Sequence, residues 1–278
     1  MSGRPAEPLR PRTPAAGETP AQDLRLRLLS FNIQVGLDTR RYAHYVTRAL
    51  RHALPWKGHH TSLDRIAELI GDYDFVALQE ADAGSLRTRF LNQMEYLARR
   101  AGFVHWGYTV TRDLHPVARH CLGYLSRCAP TRHEEHRLPS PIPGRGAMLV
   151  KLGPEAGGLC VIVTHLSLGP AARRRQLDYI SHLAEQPGPT VVMGDMNCEP
   201  GVLRGHGRLR QSGLWLPAET PATFPSWRPS RSIDHVLVSY DVVIHELKTL
   251  PALGSDHLPL AVEIGVAGRQ PVAAPAGQ

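Results

Sequence analysis

The chain has 278 residues, 42% of them hydrophobic, and a formal net charge of +7 at pH 7. That length supports one large domain or two small ones with a real core, and no apolar run approaches the roughly 18 residues that would span a membrane. The basic balance suits an anionic partner (nucleic acid, a phosphorylated small molecule or an acidic lipid surface) without choosing among them.

The opening MSGRPAEPLRPRTPAAGETPAQD lacks the apolar stretch of a secretory signal, and its Pro, Ala and Gly content reads as a disordered leader over 1–23. Its charges cancel, Arg4, Arg10 and Arg12 against Glu7, Glu18 and Asp23, so the basic excess belongs to the folded part. One domain is expected over 24–265, followed by a flexible tail over 266–278. Cys121, Cys128, Cys160 and Cys198 form neither a C-x-x-C pair nor a zinc-like spacing, so they read as reduced thiols in a cytoplasmic protein.

LRLRLLSFNIQ (24–34) alternates leucine and arginine like a half-buried strand and leads to Asn32. RRYAHYVTRALRHAL (40–54) reads as a basic helix. In TSLDRIAELIGDY, Thr61 and Asp64 stand at capping-box spacing before a helical apolar stripe. FVALQE (75–80) is a short buried strand ending at Glu80, and FLNQMEYLARRAG is a helix stopped near Gly102. HWGYTV, CLGYLSR, GAMLVKL and LCVIVTHL follow as strands, the last reaching His165. PAARRRQLDYISHLAE has Pro170 in its first helical turn. The apolar VVM of VVMGDMNCEP then turns at Gly194 and presents Asp195 and Asn197, which share a face if the strand direction persists. Residues 201–232 read as irregular, and IDHVLVS, VVIHEL and LPLAVEIG as three more strands. Asp234 opens the first of these, and Asp256 and His257 precede the last. Short consecutive strands interleaved with helices, without a strict βαβ rhythm, fit two packed sheets with helices outside them.

Each polar residue at a strand end has a bland explanation when taken alone, because a carboxylate there ordinarily faces water. Strand ends of a sandwich share one rim, however, so these residues can converge. There is no G-x-S-x-G and no cysteine beside a catalytic-looking histidine. Carboxylate and amide oxygens are hard ligands suited to Mg²⁺ or Mn²⁺. A histidine and further carboxylates beside such a metal are a complete set for phosphoester hydrolysis.

The series SFN, LQE, THL, GDMN, IDHV and SDHLP, in this order, resembles the endonuclease/exonuclease/phosphatase superfamily from about residue 26 to 263. The resemblance implies a four-layered α/β/β/α sandwich of two mixed sheets and a metal-dependent phosphoester hydrolase. It implies metal binding through Glu80, with Asn32 and Asp256 beside it. Asp195 would orient or activate water, and Asn197 and His165 would bind the phosphate. His257 would bind or protonate a phosphate oxygen, its ring held by Asp234. The sequence departs from the family pattern at Leu122 and His235, where a small polar residue and a tyrosine are common.

The substrate stays open. The basic helix after Asn32, Arg145 in GRG, Arg87 and Arg89, and Phe224 and Trp227 in TFPSWRPSRS are candidate substrate contacts, each with a plain surface or packing alternative. A nucleic-acid or nucleotide phosphodiester is preferred. A lipid headgroup or phosphoinositide is the alternative within hydrolysis, and a non-catalytic anion-binding module is the rival class.

Overall fold

The computed structural model describes residues 24–34, 59–141 and 143–266. The leader over 1–23, the basic helix expected at 40–54 and most of the expected tail lie outside the described residues. Among the described residues, eleven strands form two mixed sheets. The first sheet holds β1 (Leu24–Asn32), β2 (Phe75–Asp82), β3 (His105–Leu114), β4 (Ala118–Ser126), β10 (Val242–Thr249) and β11 (Leu260–Val266), in the order β10-β11-β1-β2-β4-β3. The second holds β5 (Pro130–Arg137), β6 (Gly146–Leu152), β7 (Cys160–His165), β8 (Thr190–Asp195) and β9 (Asp234–Val238), in chain order.

Each sheet contains one parallel pair, β1 with β2 and β7 with β8; the other neighbours are antiparallel. A parallel pair needs a crossover, and helices cover the sheets where these crossovers run. Helix α1 (His59–Ile70) and α2 (Gln93–Ala101) lie on the first sheet, and α3 (Pro170–Leu183), α4 (Pro200–Gly205) and α5 (Gly207–Gln211) on the second.

Strand β1 shows how the sequence builds the layers. Leu26 and Leu28 enter the core between the sheets with Phe75, Val161, Val163 and Met193, while Leu29 and Phe31 enter the core under α1 and α2. Burying such a side chain stabilises by about 1.5–3 kcal/mol, and β1 does so on both faces once it passes Arg27. The four layers are therefore α/β/β/α.

Several local expectations change. Helix α1 begins at His59, so Thr61 lies inside it rather than at its N-cap. Asp64 instead accepts from Tyr96 Oη (2.8 Å) and Arg100 Nε (3.0 Å), tying α1 to α2. The stop at Gly102 is present, with φ +72°, and Asn92 caps the other end of α2. The charged PTRHEEHR forms β5, an edge strand whose exposed charges both hide it from an apolar pattern and guard it from pairing. Residues 200–211 form the two short helices α4 and α5 rather than irregular chain. Val266, placed in the tail by sequence, is fully buried at the end of β11 opposite Leu24. All four cysteines are free, and among the described residues no helix is long and apolar enough to cross a membrane.

Candidate active site

The two parallel pairs end at the same rim. In the first sheet Asn32 pairs with Gln79, one residue before Glu80. In the second, His165 pairs with Asp195, and Asp195 pairs with Asp234 across β9. Three candidate residues are thus neighbours by strand register alone.

The backbone at these ends is shaped for the purpose. Strand β2 does not stop at Glu80: it bulges between Leu78 and Ala81, with Glu80 at φ +55°, and runs on to Asp82. A bulge re-aims one side chain without ending the strand. Nor does the chain turn at Gly194, because β8 continues through Asp195. Gly194 has φ +147°, and a Cβ there would lie 1.9 Å from the Thr164 carbonyl oxygen. Glycine is therefore required by the close approach of β7. Beyond Asp195 the strand direction is lost, and Asn197 takes φ +51°. Asp195 and Asn197 meet through a turn in which the Asn197 N–H donates to Asp195 Oδ1 (2.9 Å).

Asp195 is the hub. Its Oδ2 accepts from Asn32 Nδ2 (3.1 Å) and lies 3.4 Å from His165 Nε2 and 3.8 Å from His257 Nε2. The other ring nitrogen of His257, Nδ1, is 2.8 Å from Asp234 Oδ2, which also accepts from Thr223 Oγ1 (2.5 Å). His257 thus sits between two buried carboxylates. Phe224 packs on its ring at a centroid distance of 5.2 Å.

Asp256 accepts from Gln34 Nε2 (3.2 Å), and the Gln34 N–H donates to Asn32 Oδ1 (3.1 Å). Ser255 Oγ donates to the Asn32 carbonyl (2.6 Å), which locks the 255–257 loop to the end of β1. Glu80 Oε1 is 3.8 Å from His165 Nε2. Asn197 Nδ2 donates to the Leu166 carbonyl (2.9 Å), and its second hydrogen remains for a ligand. Arg145 Nη1 lies 2.8 Å from His165 Nε2, so its charge sits at the histidine rather than out in solvent. Trp227 is half-buried and, among the described residues, makes no hydrogen bond or ring contact; its neighbour Ser226 hydrogen-bonds the Asp256 carbonyl through its N–H. Leu122 lies buried beside the cluster, and His235 turns away from it to reach the Cys198 carbonyl at 2.7 Å.

The electrostatics follow from burial and mutual charge. Burial lowers the His257 imidazole, but Asp234 and Asp195 outweigh it and hold the ring at about 10, so it is an imidazolium at neutral pH. Burial raises Asp195, yet the His257 charge, His165 and the Asn197 N–H keep its carboxyl well below the usual range. Glu80 is likewise lowered: burial opposes ionisation, and His165 and His257 overcome it. Asp256 goes the other way. Burial, helped by the nearby Glu80 and Asp195 charges and opposed by His257, pushes it up to about 6. The cluster holds more carboxylate than cation.

Sequence reasoning missed Gln34, Thr223 and Ser255, which orient the site rather than form it. Their signal was adjacency alone: Gln34 two residues after Asn32, Ser255 one before Asp256, and Thr223 in the segment preceding Asp234.

An α/β/β/α sandwich whose strand ends assemble carboxylates, amides and histidines around one buried aspartate defines a class of phosphoester-acting folds. The Endonuclease/Exonuclease/phosphatase family profile matches residues 29–257, and the chain belongs to that family, whose members are generally phosphoester hydrolases. No curated protein sequence matches the chain. Among solved structures it is similar to an endonuclease/exonuclease/phosphatase from Beutenbergia cavernae (22% identity, 90% of this chain and 73% of that chain, TM-score 0.69). It is also similar to a humanized D. rerio TDP2 (17% identity, 86% and 98%, TM-score 0.62) and to ANGEL2, described as a 2′,3′-cyclic phosphatase, in complex with adenosine-2′,3′-vanadate (16% identity, 88% and 96%, TM-score 0.64). At these identities the likeness is one of fold.

Proposed function

We propose that the protein is a divalent-metal-dependent phosphodiesterase that attacks phosphorus with water held at Asp195. The observation that carries this reading is the His257 ring set between Asp234 at 2.8 Å and Asp195 at 3.8 Å on a shared strand-end rim.

The donor set fits a hard cation. Glu80 and Asp256 are carboxylates and Asn32 is an amide, and Asn32 is tied to Asp256 through Gln34, so hard oxygen donors gather at one place. Mg²⁺ or Mn²⁺ held by Glu80, with Asn32 and Asp256 beside it, would polarise the phosphoryl oxygen and offset the charge that builds there. Asp195, Asp234 and His257 also lie close enough to share an ion, with ligand atoms all within 4.8 Å. We favour the relay reading of that trio, because His257 Nδ1 and Asp234 Oδ2 are already joined at 2.8 Å, a hydrogen bond that a shared ion would have to displace.

The chain's own residues divide the remaining work. Asp195 stays ionised, accepts a hydrogen bond from water and orients it toward phosphorus. His257 donates to a phosphate oxygen, and Asp234 fixes its ring and charge. His165, the free hydrogen of Asn197 and Arg145 supply further donors around the phosphate. The basic charge supports a nucleic-acid or nucleotide phosphodiester as substrate, and ANGEL2, a relative by fold, is described with a nucleotide-like ligand. A lipid headgroup is the alternative substrate. The free cysteines fit the cytoplasmic setting expected from sequence.

Turnover of bis-p-nitrophenyl phosphate with Mg²⁺ or Mn²⁺, and with chelator, tests this reading. Glu80→Ala and His257→Ala are expected to lose about 10²–10⁴-fold. Full activity in both variants would overturn the site. Anion binding without turnover of any phosphoester would favour a non-catalytic binding module.

A further inference from the structure

Beside the reaction centre lies a cavity of about 340 Å³, of which the mechanism above uses only Glu80, His165 and Arg145. Glu80 and His165 close its inner end, Arg112, Arg145 and His120 line it, and Leu122 and Leu168 give it apolar wall. Glu80 is its one acidic residue; the other charged side chains in its lining are the two arginines. Arg112 is exposed and lies along the turn at Gly144, where φ is +114° and an added Cβ would come 3.4 Å from Arg112 Cβ.

His120 is held from behind by a buried chain of charges. Asp82 is fully buried and accepts from Arg87 Nε (2.5 Å), Ser85 Oγ (2.8 Å), Thr88 Oγ1 (3.3 Å) and the N–H groups of Gly84 (2.9 Å) and Arg119 (3.3 Å). Arg87, itself 4% exposed, extends Nη1 to His120 Nε2 at 3.2 Å. A guanidinium only donates, so His120 Nε2 must be the acceptor and Nδ1 must carry the proton. Burial first, and then the Arg87 charge, push the His120 imidazole down to about 4, so the ring is neutral at pH 7. A buried ion pair with five donors on one carboxylate is an elaborate support for a surface loop. It is an economical one for a histidine that must present a single fixed N–H to the cavity.

We propose that this cavity is a subsite for a second phosphate of the substrate, received by Arg112 and the fixed Nδ1–H of His120, with Arg87 as the positioning residue. The inference rests on the phosphodiesterase reading, since the cavity opens onto Glu80 and His165. The second phosphate can belong to a nucleotide or to an inositol phosphate, and the apolar wall would take the body that carries it.

The test compares ligand pairs on the full chain by calorimetry. Adenosine 3′,5′-bisphosphate is set against adenosine 5′-monophosphate, and inositol 1,4-bisphosphate against inositol 1-phosphate. The wild type is expected to favour the bisphosphate of one pair by about tenfold or more, the scale of a hydrogen bond to a charged group. The pair that shows the preference identifies the source. His120→Ala and Arg112→Ala are each expected to reduce that ratio to about twofold or less. His120→Asn, whose amide nitrogen stands near the Nδ1 position, is expected to keep most of it. Arg112 is exposed, so its variant covers the case in which His120→Ala fails to fold. Imidazole ¹⁵N shifts give an independent readout: the wild type is expected to show His120 protonated at Nδ1, and Arg87→Lys to disturb that state. Equal binding of mono- and bisphosphates by the wild type, an undiminished preference in both alanine variants, or a His120 protonated at Nε2 would each overturn the proposal. Turnover of bis-p-nitrophenyl phosphate is scored separately. A bisphosphate preference without turnover sinks the catalytic reading and leaves the subsite; turnover without the preference does the reverse.

Discussion

Replacing Asp234 with Asn asks whether the His257 charge does the work assigned to it. Asp234 Oδ2 receives two donors, Thr223 Oγ1 at 2.5 Å and His257 Nδ1 at 2.8 Å. An asparagine can set its carbonyl oxygen in that place and keep both, so the shape survives and the charge goes. Exchanging a charged acceptor for a neutral one costs about 1–1.5 kcal/mol for the bond itself, or roughly tenfold in rate. The larger effect is on protonation. Opposite charges about 4 Å apart at an effective dielectric of about 20 attract by about 4 kcal/mol, so proton binding at His257 weakens by on the order of 10³. The sign is fixed. The imidazole is raised to about 10 chiefly by Asp234 and Asp195, against burial, so loss of one carboxylate lowers it and the charged form gives way as pH rises. Turnover of bis-p-nitrophenyl phosphate, followed from about pH 6 to about pH 9, should therefore show a roughly tenfold loss near pH 6 that deepens steeply at alkaline pH. A variant that loses activity uniformly, with its alkaline limb where the wild type has it, would refute the claim that Asp234 acts through His257. One within twofold of wild type throughout would refute its role altogether.

Further predictions concern the scaffold and the metal. Gly194→Ala must move either the Thr164 carbonyl or its own backbone, at a cost of about 2–6 kcal/mol; a thermal melt should drop by about 4 °C or more, and an unchanged melt would contradict the packing of β7 on β8. Glu80→Gln should weaken Mn²⁺ binding, read by titration calorimetry, by more than about tenfold, while an unaltered affinity would move the ion elsewhere. Native thiol labelling near pH 8 should reach Cys128 alone. Cys121 is pushed far up by burial, Cys160 to about 11 and Cys198 to about 12, whereas Cys128 is only half-buried. Mass spectrometry showing a second label on the folded protein would count against the described core.

The candidate residues were readable because strand ends are where sequence and geometry coincide. An apolar run followed by Asn32, Glu80, His165 or Asp195 places that residue on a rim, and the register His165–Asp195–Asp234 then makes three of them neighbours. What the pattern did not carry is whatever depends on backbone torsion or on partners distant in sequence. The sequence alone read Glu80 as the end of β2, but a bulge re-aims it mid-strand. Asp195 and Asn197 were expected to share a face by period-two counting, yet they meet by a turn at φ +51°. Gly194 read as a turn and is instead a gap left for the Thr164 carbonyl, a contact between strands that no local window contains. The charged β5 was invisible because an edge strand has no inner periodicity to display. The Asp82–Arg87–His120 chain spans residues 82 to 120 and joins a loop to a strand in the same sheet. Of its members the sequence singled out only Arg87, as a candidate substrate contact, and only the fold shows that Asp82 and Arg87 lie buried and hold His120 at the cavity. Candidate site residues are thus legible at strand ends, where one residue type at one place suffices, while the pairings that position side chains around the cavity exist only once the sheets have closed.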